Sequence, residues 1–200
     1  MKAFYLLKRL QLRLSNDGFK KTVKELFYFN RELILVRKDL VSWKAKPFDN
    51  DLEYIVVDKT NSVETEKRLN LHLFDHYGKI HCKTLVAIKD EVCVGFIRWT
   101  QDKNFKDLRK YNIPLAPDEA YMFDFFLFPT YRGTPVIRDI YHYAMHHLKS
   151  IGISRYYGFF YADNVPALWW HRTICRTEEF EKVKAHKLVF LEMINNKLFM

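Results

Sequence analysis

Cysteine is scarce in this 200-residue chain, and the three present, Cys82, Cys93 and Cys175, form no CxxC pair. An odd, widely spaced set makes neither a disulfide framework nor a zinc knuckle, and it fits buried thiols in a reducing compartment. No GxSxG, GxxxxGK[ST] or GxGxxG occurs, so nucleophilic serine chemistry and P-loop chemistry have no support. Apolar runs are short as well. None approaches the roughly 18 residues of a membrane span, and even YMFDFFLF carries Asp124 at its centre. The opening MKAFYLLKRLQLRL is interrupted by Lys8, Arg9 and Arg13, unlike a secretory leader, and the expected location is cytoplasmic. Internal repeats and low-complexity segments are absent too.

What the chain does have is positive charge and aromatic rings. A formal charge of +9 favours anionic partners: a phosphorylated cofactor, an acidic carrier protein, an anionic membrane or, least, nucleic acid. Seventeen Phe and twelve Tyr exceed the needs of a small core, so some are expected to line a cleft. The length suits one domain, 31–200, preceded by a basic arm, 1–30. In that arm Lys2, Lys8, Arg9, Arg13, Lys20, Lys21 and Lys24 face only Asp17 and Glu25, while Phe4, Leu7, Leu10 and Leu14 recur at helical spacing. Either it packs on the domain with solvated lysines, or it docks peripherally on a membrane or partner. A second helix is expected over Thr22–Asn30.

Strand-like patterns follow at Glu32–Leu40 and Glu53–Asp58, then a polar helix from Ser62 to about His76 with Val63, Leu69 and Leu73 inward. KTLVAI and VCVGFIRWT flank a turn at Lys89-Asp90-Glu91 and make the clearest hairpin. Residues 101–118, broken by Pro114 and Pro117, read as a long excursion over a site. EAYMFDFFLFP is a strand, Thr134–Ser150 a helix, RYYGFFYA a strand, Val165–Arg176 a helix and Glu179–Glu192 one or two closing strands. Strand, helix, strand, helix beside antiparallel hairpins gives an α/β fold with a mixed sheet.

The segment AYMFDFFLFPTYRG at Ala120–Gly133, the helix after it, and NVPALWWHRTICR at Asn164–Arg176 together resemble the GNAT (Gcn5-related) N-acyltransferases, over roughly residues 50–194. The resemblance implies a splayed mixed sheet flanked by helices, with an acyl-coenzyme A such as acetyl-CoA wedged at the splay. Its pantetheine would lie along Phe126, Leu127 and Phe128. Its pyrophosphate would lie on the turn formed by Arg132, Gly133, Thr134, Val136, Ile137 and Arg138, and Asn164 would stand near the pantetheine arm. A helix N-terminus with free amides suits an anion. Pro135 and Ile137 replace the family's usual small residues; Pro135 removes one donor, and Ile137 places a branched side chain where backbone should approach phosphate.

His171 stands where relatives carry the acid that protonates the departing thiolate, and imidazole titrates in the right range. Asp124, a lone carboxylate in an apolar strand, is the candidate base, with burial expected to raise its pKa; the competing reading pairs it with Arg or Lys. Glu119 is a weaker candidate. The expected reaction is direct attack by an amine, for which the aromatic residues favour an amino sugar. An acyl carrier protein as donor, or a silent binding module, are the rival readings. Metal is not expected: His142, His146 and His147 lack an HExxH glutamate and a third ligand.

Overall fold

Leu85, Val86, Ala87 and Ile88 are apolar without alternation, as a strand covered on both faces requires. All four are buried, one place in from the edge of a nine-stranded sheet, in the computed structural model, which describes residues 28–48, 51–69, 81–188, 191–194 and 197–199. The strands are β1 (Tyr28–Asp39), β2 (Glu53–Val57), β3 (Cys82–Lys89), β4 (Val92–Thr100), β5 (Glu119–Leu127), β6 (Arg155–Tyr161), β7 (Glu178–Leu188), β8 (Leu191–Ile194) and β9 (Lys197–Phe199). Their order is β2-β3-β4-β5-β6-β1-β7-β8-β9. Every neighbouring pair is antiparallel except β5 and β6, which helix α3 (Val136–Ser150) connects as a parallel crossover. The mixed α/β sheet flanked by helices is therefore the architecture the sequence implied.

The β3–β4 hairpin turns at Asp90 and Glu91, both with positive φ (49° and 59°), the pair of left-handed residues that matches strand twist in a two-residue turn. On one face of the sheet, Ile140, Tyr141, Ala144, Met145 and Leu148 of α3 pack on Leu85, Ala87, Ile97, Trp99, Ala120 and Tyr156. Each fully buried aliphatic side chain contributes about 1.5–3 kcal/mol. The other face is covered by α1 (Ser62–Leu69), through Leu69 against Val57, Val86 and Phe96. Beside it α2 (Lys106–Tyr111) sets Phe105, Leu108 and Tyr111 on Leu33, Leu35, Tyr121 and Tyr157. No helix among the described residues is long and apolar enough to cross a membrane.

Several details differ from the sequence expectations. Residues 28–30 open β1 rather than end a helix, because they pair with Leu188, Lys187 and His186 of β7; the rest of the arm lies outside the described residues. Val63 is 80% exposed and α1 turns Thr65 inward in its place, beside Leu69 as expected, while Leu73 and the stretch to His76 lie outside the described residues. The excursion holds a helix, α2, stopped by Asn112 in the left-handed conformation. Past β6, α4 (Val165–Trp169) runs into a wider π turn, Trp170–Cys175, which brings the buried Trp170 and Cys175, five residues apart, onto one inward side. The closing segment makes three strands, β8 and β9 being paired hairpin-fashion beyond β7.

Candidate functional site

Strands β5 and β6 are in register for only three residue pairs, Glu119 with Arg155, Ala120 with Tyr156 and Tyr121 with Tyr157. Beyond them β5 continues along β4 and β6 continues along β1, so the two part. Phe128 donates its N–H to Val94 O on β4 at 3.0 Å, and alternation turns the backbone of Leu127 toward the opening. There Leu127 O accepts from Arg132 Nε at 3.4 Å. Phe126 stacks on Phe96 and meets Phe128 edge-on, so both rings pack on the α1 side of β5. Inside the opening, on the α3 side, Trp170 meets Phe125 edge-to-face at 5.6 Å and Tyr141 at 5.7 Å.

Directly after β5 a single 3-10 turn, Pro129–Tyr131, leads through Arg132 and Gly133 into α3. Gly133 has φ +80°, which a side chain would strain. Pro135 is helical at φ −59° and ψ −23°, the geometry its ring imposes, and its carbonyl accepts from Arg138 at 2.8 Å and Asp139 at 3.2 Å. Thr134 gives its N–H to Tyr131 O. Of the expected donors, Thr134 and Arg138 are thus committed within the turn. The amides of Gly133, Val136 and Ile137 have no protein partner among the described residues. Ile137 is partly buried and packs against the main core. The guanidinium of Arg138 and the exposed Arg132 add charge nearby.

Asp124 sits on a bulge. The β4–β5 register shifts between Phe96 and Arg98, and Asp124 takes φ +56°, a left-handed conformation unusual for a non-glycine residue. Its Oδ2 is held by Nη1 of Arg98, a side chain only 1% exposed whose guanidinium also lies 4.4 Å from the Phe96 ring centre. The Asp124 side chain is 33% exposed and paired with an arginine, the alternative the sequence left open. No protein group among the described residues hydrogen-bonds its other oxygen, Oδ1. On this face Phe123 packs on Phe105 and Tyr121, while Phe159 of β6 packs on Tyr111 and Tyr121. Asp124 thus stands beside an aromatic wall where the strands separate.

His171 lies in the π turn and stacks on Phe160 of β6, with ring centres 4.6 Å apart and planes within 12°. Burial pushes its pKa down to about 4, opposed by the nearby Glu179 carboxylate. Near neutrality that favours the uncharged imidazole. Its Nδ1 lies 3.4 Å from Thr177 Oγ1. Asn164 caps α4, its Oδ1 accepting from Ala167 N at 3.3 Å. Past that cap Val165 and Trp169, one helical turn apart, are both exposed.

Glu119 is occupied elsewhere. Its carboxylate accepts from Ala116 N, Arg155 Nη1 and Tyr157 OH, fastening the start of β5 where the two strands still pair. The fold therefore gathers Asp124, Phe126–Arg138 and the α4 segment around one opening, and leaves Glu119 at the closed end. Arg98 went unremarked in the sequence; the signal was an arginine embedded in the apolar run VCVGFIRWT. Among the described residues no cluster of His, Cys, Asp or Glu has metal-holding geometry, and the three cysteines are free and buried.

The fold of this chain recurs in known proteins. Among solved structures, it is similar to a GNAT-family protein of Novosphingobium aromaticivorans, with 12% identity, TM-score 0.52, 79% of this chain and 64% of that one covered. A GCN5-related N-acetyltransferase from Kribbella flavida gives 11% identity, TM-score 0.53, and coverage of 88% and 65%. A glucosamine N-acetyltransferase region in a fungal multidomain β-N-acetylglucosaminidase gives 11% identity, TM-score 0.56, and coverage of 88% and 23%. The chain spans less than two thirds of each of these proteins, and at such identities the likeness is one of fold. No curated protein matches. The family model described as acetyltransferase (GNAT) family matches residues 43–174, the stretch that includes the parted strands, the turn and α4, and the chain belongs to that family.

Proposed function

We propose that the chain is an N-acyltransferase that moves an acyl group, acetyl being the simplest, from acyl-coenzyme A to an amine by direct attack. The observation that carries this reading is the parting of β5 and β6 with a turn of unpartnered amides at the end of β5. Gly133, Val136 and Ile137 would receive the donor's pyrophosphate, with Arg132 and Arg138 adding charge. The pantetheine would run along Phe126–Phe128 toward Asn164. Coenzyme A would supply the activated thioester; the rest falls to this chain's residues.

Asp124 would take the amine's proton. Its Oδ2 is fixed by Arg98, while Oδ1 is open to an ammonium or to a water carrying the proton away. His171, uncharged, would form part of the wall against Phe160, and the thiolate would be protonated from solvent. The aromatic face around Phe123 and Phe159 suits a flat or ring-shaped acceptor, and an amino sugar is the acceptor we favour.

The test is calorimetric titration with acetyl-coenzyme A and, separately, an acetylated acyl carrier protein, followed by thiol release with a panel of amines including glucosamine. Micromolar binding of acetyl-coenzyme A and amine-dependent thiol release are expected. Binding of the carrier protein alone would transfer the donor role to it. Binding to neither would overturn the acyltransferase reading.

A further inference from the structure

We propose that a second anion site, separate from the α3 turn, lies between the segment after β1, the middle of α3 and the end of the π turn, and that it takes a small phosphate ester. A cavity of about 230 Å³ opens there. Lys38, Lys44, Lys46 and Arg176 line it, with Trp43 and Ile174 as apolar walls. Such a volume falls just below the range of sites for drug-sized molecules and suits a phosphate bearing a small organic group.

Charge is what singles this cavity out. Four cations converge on it, and Asp39, the one carboxylate in its lining, accepts at Oδ1 from the amides of Val41 and Ser42. Lys44, Lys46 and Arg176 have no carboxylate partner among the described residues. Like charges held close repel, and a bound dianion relieves that repulsion while accepting several charge-assisted hydrogen bonds. Lys38 is half withdrawn from water, its Nζ donating to Arg176 O at 3.0 Å, and its pKa is lowered chiefly by that burial, with Lys46 and Arg176 contributing.

The backbone that carries Lys44 and Lys46 is also held in place before any ligand arrives. Lys149 of α3 donates to the carbonyls of Val41 and Trp43, both at 2.9 Å, and Leu40 N donates to Ser154 O. At the far end of the segment, His142 Nδ1 lies 3.2 Å from Pro47 O. Burial lowers the His142 pKa, so the neutral ring donates from Nδ1 to that carbonyl. The lysine-bearing segment is therefore fastened to α3 at both ends, and less ordering is needed on binding.

Separation from the α3 turn follows from the helix itself. His142 is six residues beyond Val136, roughly 9 Å along the axis. The Phe125, Trp170 and Tyr141 rings, in edge contact, fill the interior between the strand opening and this cavity. The site does not depend on the acyltransferase reading.

The test uses the full chain and inorganic pyrophosphate in calorimetry at constant ionic strength, in an Arg132→Glu, Arg138→Glu background that removes the charge at the α3 turn. One saturable site is expected, weakened at least tenfold by adding Lys46→Glu and Arg176→Glu, both exposed positions. Unchanged affinity, or no binding in the background protein, overturns the proposal. A second arm compares coenzyme A with dephospho-coenzyme A on otherwise unmodified protein and on Lys46→Glu, Arg176→Glu. Their affinity ratio should not change. If the ratio collapses toward one in the variant, the cavity serves the 3′-phosphate of coenzyme A and is not a separate site. Failure of either coenzyme to bind would count against the acyltransferase reading alone, since pyrophosphate reports on this cavity directly.

Discussion

The guanidinium of Arg98 and the carboxylate of Asp124 join β4 to β5 across the bulge at which β5 bends beside the opening. Arg98 comes from an apolar strand and is almost wholly buried, so Asp124 both neutralises it and is oriented by it. Removing either partner has different consequences, because only Arg98 lacks water as an alternative.

Asp124→Gly is expected to accept φ +56° without backbone strain, to destabilise the fold by taking the Asp124 carboxylate from buried Arg98, and to lower kcat about 100-fold or more by loss of the proposed base. The KM for the acyl donor should change little. Asp124→Val adds backbone strain of about 1–3 kcal/mol to the same loss. Steady-state kinetics paired with urea unfolding separates the two effects. Equal kcat in Asp124→Gly and the parent would remove Asp124 from the mechanism.

His171 gives the chain a pH-dependent stability. Its folded pKa, about 4, lies below the ordinary 6.5, so between those values the unfolded chain binds a proton that the folded one refuses. Stability is full above pH 6.5 and declines as pH falls toward 4, by up to about 3 kcal/mol. His171→Phe, which keeps a ring on Phe160, should flatten that decline in unfolding measurements from pH 7 to 4. A pH–rate profile showing an essential acid near pH 6.5 to 7 that His171→Phe abolishes would contradict the neutral assignment.

Ile137→Gly distinguishes a blocked turn from an open one. The side chain packs on the core, so the substitution should cost about 2 kcal/mol in lost burial and helix propensity. It should not tighten coenzyme A binding. Tighter binding by tenfold would show that the branched side chain does restrict phosphate after all.

Gly95→Val tests the close approach of β4 and β5 beneath α3. A Cβ there meets Phe126 O at 2.8 Å and Ile140 Cδ1 at 3.0 Å, and a backbone oxygen has no rotamer by which to withdraw. Destabilisation of about 2–4 kcal/mol is expected, seen as a lowered urea midpoint. Gly133→Ala costs less in space, since nothing lies within 4 Å, but its φ of +80° imposes about 1–2 kcal/mol of strain and should loosen donor binding.

Sequence determined what short-range physics controls. The β-branched runs, the 3.6-residue spacing in Val136–Ser150, the turn at Asp90-Glu91 and the cap at Asn164 each follow from the local chain, and so does the order of elements that makes a mixed sheet. The family resemblance rested on the same local stretches. Tertiary structure decided whatever depends on residues far apart in the chain: that β5 and β6 part after Tyr121, that Arg98 meets Asp124 from 26 positions away, and that Ile137 packs in part on the main core. It also decided that His171 is half-buried and stacked on Phe160, and that Lys38, Lys46 and Arg176 line one cavity. Ionisation follows the same division. A side chain's ordinary pKa is written in its type, but the desolvation that moves it is set by neighbours that only the folded register brings close.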